Sequence, residues 1–397
     1  MIAAAPGGES DTMMPDALER RLALWRGRAL RVALVAGVLA LLGLLLDPQG
    51  FFRSYLIAYL FWIALPLGAY GLVALHHMVG GGWGFVIRRI LESAAATLPL
   101  MALLFVPLLF GLDDLYPWAR PETVAGDALL QHKQPYLNAP FFAGRAALYF
   151  GLWIGVVSVL NRLSARQDGS GDPAISRRLQ LLSGPSLPLY GLTVSFAAID
   201  WAMSLEPHWF STIYGMLFVA GQGLATLAFA TVALVMLADL PPLVAVVRPK
   251  HFHDLGNLTL AFVMLWAYMA YSQYLIIWSG NLPEEITWYL HRGDGGWQYI
   301  GVALIFLHFA LPFLLLLSRR TKRSGEALLR VALLLLALRF VDIYWLIAPA
   351  FSPRRFTFGW LDVVLPVAIG ALWIAAWTRN LESWSLLPND PNMDGGS

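Results

Sequence analysis

The chain has 397 residues, of which 58% are hydrophobic and 13% charged, with a mean hydropathy of +0.63. A soluble domain is about 25% charged, so these side chains are too few to cover a water-facing surface, and the two or three soluble domains that length alone suggests are excluded. There is no cysteine, which rules out disulfides, thiolate-held zinc, iron–sulfur clusters and covalently attached c-type haem on this chain, and the net charge of +2 says less than the placement of the charges.

Residues 1–28 are polar, ending in the basic cluster Arg20, Arg21, Arg26 and Arg28, with Arg31 beyond it. The apolar run 29–46 follows and is about long enough to span a bilayer. No small-residue cleavage site comes after it, so it reads as an uncleaved first helix rather than a signal peptide. Further apolar runs at 55–79, 90–111, 141–163, 186–205, 210–238, 255–280, 297–318, 326–349 and 361–379 predict about ten spanning helices. Residues 29–380 then form the membrane domain, and 381–397 read as a flexible tail. Pro66, Pro99, Pro107, Pro312 and Pro366 fall inside runs, as membrane helices tolerate when neighbours satisfy the freed backbone groups.

Arginine and lysine concentrate in alternate loops: at the N-terminus, Arg88 and Arg89, Arg162 to Arg178, Arg248 and Lys250, Arg319 to Arg323, and Arg379. The positive-inside rule predicts that both termini are cytoplasmic. The longest opposite loop, 112–140, carries Tyr116, Trp118 and Tyr136 and reads as a docking surface or a disordered segment. Trp201, Trp209, Trp278, Trp288, Trp297, Trp345 and Trp360 stand near span ends, where indole rings commonly anchor at the membrane interface.

Asp200 precedes Pro207 by the same interval as Asp342 precedes Pro349, and SYLIAYLF at 54–61 matches STIYGMLF at 211–218 in its Ser and Leu-Phe. These pairs predict an all-α membrane protein with two four-helix bundles, roughly 54–205 and 210–350, related by a parallel repeat, plus two peripheral helices. Asp200 and Asp342 then lie at equivalent depths.

An acid inside an apolar span is expensive and calls for a partner or a task. Asp200 and Asp342 are candidates for taking and releasing protons, with Arg339 three residues before Asp342 as its partner; structural ion pairs are the ordinary alternative. Glu206 and His208 follow Asp200 closely and would extend a proton path to the surface, where they would otherwise be plain cap and loop residues. His308 lies mid-span, as a proton carrier, a quinone partner, a haem ligand or a buried imidazole bonded to a neighbour. Bis-histidine haem ligation needs a second imidazole at matching depth, and none is evident. His76, His77, Glu92, Asp239, His251, His253 and Glu326 fall near the basic ends of spans and read as interfacial.

The segments SYLIAYLFWIALPLG at 54–68, NAPFFAGRAALYF at 138–150, DWAMSLEPHWFST at 200–212 and SQYLIIWSGNLPEEITWY at 272–289 resemble one family over nearly the whole chain. It is the smaller polysulfide-reductase-like (NrfD-like) membrane subunit of bacterial alternative complex III, a quinol:cytochrome c oxidoreductase. The resemblance implies about ten helices in two four-helix bundles in the bacterial inner membrane, with no redox centre on this chain. It implies partners that carry the cofactors: multihaem and monohaem cytochrome c subunits with haem c, an iron–sulfur subunit with its clusters, a larger sister membrane subunit, and in some assemblies a terminal oxidase. Quinol would be the substrate of the complex. No catalytic residue carries over.

The resulting expectation is a quinol-oxidising respiratory complex subunit with a proton pathway through Asp200, Glu206, His208, His308, Arg339 and Asp342. A direct quinone-binding catalytic subunit, a secondary transporter and a purely structural subunit stay open as alternatives; nothing points to nucleic acid.

Overall fold

The computed structural model describes residues 10–170 and 172–388, so the start of the expected N-terminal extension and the end of the expected tail lie outside the described residues. Within them the chain is helical, and ten helices are long and apolar enough to cross a membrane. These are α1 (Ala17–Leu46), α2 (Pro48–Val79), α3 (Gly82–Phe110), α4 (Ala139–Ser170), α5 (Pro173–Leu205), α6 (Tyr214–Leu237), α7 (Pro249–Gly280), α8 (Trp297–Leu317), α9 (Gly325–Ala350) and α10 (Leu361–Glu382).

The first helix does not begin after the basic cluster. It continues unbroken back to Ser10, carrying Arg20 to Arg31 on helical turns. Arginine's long apolar stem lets the charge reach water while the backbone stays helical, so a basic flank does not end a helix. Within α3 the backbone turns at Ala96 and Thr97, just before Pro99.

Two bundles share one neighbour order. In α2–α5 the first helix touches the second and fourth, and the third closes the ring; α6–α9 repeat this arrangement. The bundles meet along α2 and α6, the two most buried helices, while α1 and α10 pack on each other outside them. Lipid and leucine side chains are equally apolar, so membrane helices associate through close packing and interhelical hydrogen bonds. Gly68 supplies the first: a Cβ there would lie 2.5 Å from the Gln222 carbonyl oxygen, so only glycine admits this approach of α2 to α6. Tyrosines of α2 supply the second, with Tyr55, Tyr59 and Tyr70 donating to the carbonyls of Leu104, Met101 and Ser186 at 2.7, 3.0 and 2.8 Å.

The 112–140 loop is not unstructured. It forms short helices that fold back over the first bundle, where Tyr116 donates to the Trp201 carbonyl at 2.9 Å and Trp118 to Ser204 Oγ at 3.2 Å. The tryptophans near span ends divide. Trp278 and Trp360 are exposed, as interface anchors would be, but Trp201, Trp209, Trp288 and Trp297 are buried packing residues.

Candidate functional site

The six residues predicted from sequence take different hydrogen-bond partners. They separate into a clamp in the first bundle, a bridge between loops, and a buried cluster in the second bundle.

Asp200 is fully buried near the end of α5. Its carboxylate receives two bonds from Arg145 of α4, Nε to Oδ2 at 2.8 Å and Nη2 to Oδ1 at 2.9 Å, and one from the Tyr149 hydroxyl at 2.9 Å. Arg145 also donates to the Tyr136 carbonyl at 2.8 Å and stacks on the Tyr136 ring at 3.8 Å. The sequence alone does not reveal this pairing, because it depends on which helices become neighbours. Arg145 sits in the NAPFFAGRAALYF segment about two turns into α4, the only signal available for it.

Glu206 does not continue from Asp200. It turns to the short helix Pro283–Arg292, where Arg292 Nη2 donates at 2.9 Å and His291 Nδ1 lies at 2.9 Å. Arg292 is buried, lies 3.6 Å over the Trp288 ring and also donates to the Trp345 and Leu346 carbonyls. Burial alone would raise the Glu206 pKa, but Arg292 and His291 outweigh it and hold the carboxyl below its ordinary value. His208 is exposed and 2.7 Å from Asp127 Oδ2, so it ties two loops together. Asp127 also caps the helix Ala128–Lys133. Its pKa is lowered first by the backbone N–H of Leu130 and also by His208.

The second bundle encloses the cluster. Arg339 and Asp342 lie three residues apart on α9, both buried, and form an ion pair. Trp266 of α7 donates its indole N–H to Asp342 Oδ2 at 3.1 Å. His308 of α8 is fully buried and meets the Trp266 ring edge-on at a centroid distance of 4.2 Å. It stands on the π-helical turn Leu304–Ala310, a widened turn frequent at functional sites. Gly221 of α6 faces the Arg339 guanidinium, where a Cβ would lie 2.2 Å from Cζ.

Four nitrogens in this cluster have no hydrogen-bond partner among the described residues: both ring nitrogens of His308, and Nε and Nη2 of Arg339. Buried polar groups are nearly always bonded, so such a concentration marks a place for water or a polar ligand. Mid-span histidine and arginine reinforce the point, since ionisable groups at that depth are costly.

Glu92 is engaged inside the protein rather than at its surface. It is fully buried, bound by Arg88 at 3.0 Å, Arg89 at 2.5 Å and Ser164 at 2.6 Å, and Arg89 also pairs with Asp168. This network joins α3 to α4 at the basic end and leaves the Glu92 carboxylate fully engaged. Asp362 of α10 is similarly engaged, by Arg53 at 3.1 Å and Ser54 at 2.5 Å. The described residues hold no group of three or more His, Cys, Asp or Glu side chains placed to bind a metal ion.

Compared with known proteins, the chain matches no family model and no curated protein.

Proposed function

We propose that this chain is a membrane subunit of a quinol-oxidising respiratory complex that passes electrons towards cytochrome c or a terminal oxidase. In this reading the chain carries no redox centre, and its second bundle handles protons. The resemblance of the four sequence segments supports the complex. The observation that carries the proton role is the His308–Arg339–Asp342 cluster, with its four unpartnered nitrogens on and beside a π turn. Water entering there would bond the imidazole and guanidinium and connect them to the Asp342 carboxylate.

Asp200 takes a different part in this proposal. Its three bonds from Arg145 and Tyr149 leave it a clamp between α4 and α5, while Asp342 and His308 take and release protons. Both termini face the cytoplasm, following the alternate distribution of arginine and lysine.

The test begins with mild-detergent purification of a tagged copy. Haem c, an iron–sulfur protein and quinol oxidation should co-purify; a colourless, solitary protein from membranes proven to retain assembled complexes overturns the complex reading. His308→Phe then removes both ring nitrogens at similar volume without breaking any hydrogen bond seen here. In proteoliposomes of the assembled complex it should lower proton release per quinol oxidised. Unchanged stoichiometry overturns the proton role.

A further inference from the structure

On the face where α1 and α10 lie against the second bundle, an apolar groove of about 690 Å³ runs along the helices. Its walls include Trp25, Trp62, Phe229, Phe340 and Trp377, with small residues such as Ala337 and Gly370 keeping it open. Lengthwise it follows α10 from Pro366 to Trp377, about 16 Å at 1.5 Å per residue, close to half of a hydrocarbon core about 30 Å thick.

The groove lining is almost wholly apolar, and Arg28 stands one helical turn in from the end closed by Trp25 and Trp377. Arg28 is exposed and makes no ion pair among the described residues. Nearby arginines are committed: Arg21 to Asp239 and Arg26 to Glu382. The apolar run from Ala29 to Leu46 measures about 27 Å along the helix, which sets Arg28 at the boundary of the hydrocarbon core, at headgroup level. An uncommitted cation at that level, beside a chain-length apolar channel, complements a phosphate joined to acyl chains.

We propose that this groove is a binding site for an anionic phospholipid, its acyl chains along the aromatic wall and its phosphate at Arg28. A neutral quinone would use the channel but not the guanidinium, and a partner helix would fill the channel and exclude lipid. The site does not depend on the proton role of His308.

The experiment is native mass spectrometry of the delipidated full-length protein, and of the assembled complex where it purifies, with phosphatidylglycerol and phosphatidylcholine added separately. Phosphatidylglycerol should be retained about fivefold better, the worth of one cation near an anionic headgroup. Arg28→Gln should erase that preference while leaving chain binding. Ala337→Trp, at an exposed position in the groove wall, should reduce retention of both lipids. Equal retention by the unaltered protein, a preference that survives Arg28→Gln, displacement by a short-chain quinone, or loss of lipid binding in the assembled complex would each overturn the proposal.

Discussion

Asp200 and Asp342 stand at matching places in the two bundles, yet they solve the same electrostatic problem differently. Asp200 draws its cation from a neighbouring helix in bidentate geometry, whereas Asp342 draws it from its own helix and leaves the cation half satisfied. A bidentate arginine holds two helices in register, and removing one partner strands a buried charge. Arg145→Met should therefore destabilise the protein by about 3–5 kcal/mol. The double variant Arg145→Met with Asp200→Leu should recover most of that loss, since an apolar pair of similar volume carries no stranded charge. Thermal unfolding in detergent measures both; a single variant as stable as the parent would show that the pair does not clamp α4 to α5.

At the scale of elements, the closest helix crossings depend on single glycines. Gly68 admits the α6 backbone, so Gly68→Val forces α2 and α6 apart where the two bundles meet. Overpacking of this kind typically costs about 1–3 kcal/mol, and the variant should unfold at a lower temperature while keeping its helix content by circular dichroism. Gly221→Ala acts on the buried cluster instead, because its methyl group would meet the Arg339 guanidinium rather than backbone. On the proposed proton role, it should reduce proton release in the assembled complex more than it reduces stability. The helices themselves were legible from apolar runs, since each run had to satisfy its backbone internally and span a fixed thickness. Arg339 and Asp342 were legible as a pair because three residues along a helix place two side chains on one face. The Arg145–Asp200 pair was not, because it depends on which helices become neighbours. Nor was the π turn under His308, which follows from packing rather than from any residue in LIFLHFA. The start of α1 was misplaced because charge reads as a boundary in a hydropathy pattern, although arginine continues a helix without penalty.

At the scale of the whole molecule, the proposed orientation rests on charge distribution, and one carboxylate bridges the bundles. The absence of native cysteine makes the orientation directly measurable. Glu122→Cys, in the exposed loop at the Asp200 end, should react with a membrane-impermeant maleimide in spheroplasts, whereas Lys250→Cys should react only after lysis. The reverse pattern would invert the topology. The bridge is Glu206, which leaves the first bundle and binds Arg292, whose guanidinium in turn holds the Trp345 and Leu346 carbonyls at the end of α9. Its pKa is lower folded than its ordinary value of 4.5, so the unfolded state binds more protons on acidification. The bridge is therefore fully stabilising above pH 4.5 and is lost as pH falls through the lower folded value. Arg292 stays charged throughout, so protonation leaves it buried beside a neutral acid. Glu206→Gln should reproduce the low-pH stability at neutral pH and remove this acid-dependent decline, which a thermal-unfolding series across the acidic range would measure. A variant whose stability falls with acid as steeply as the parent's would place the acid sensitivity on another carboxylate.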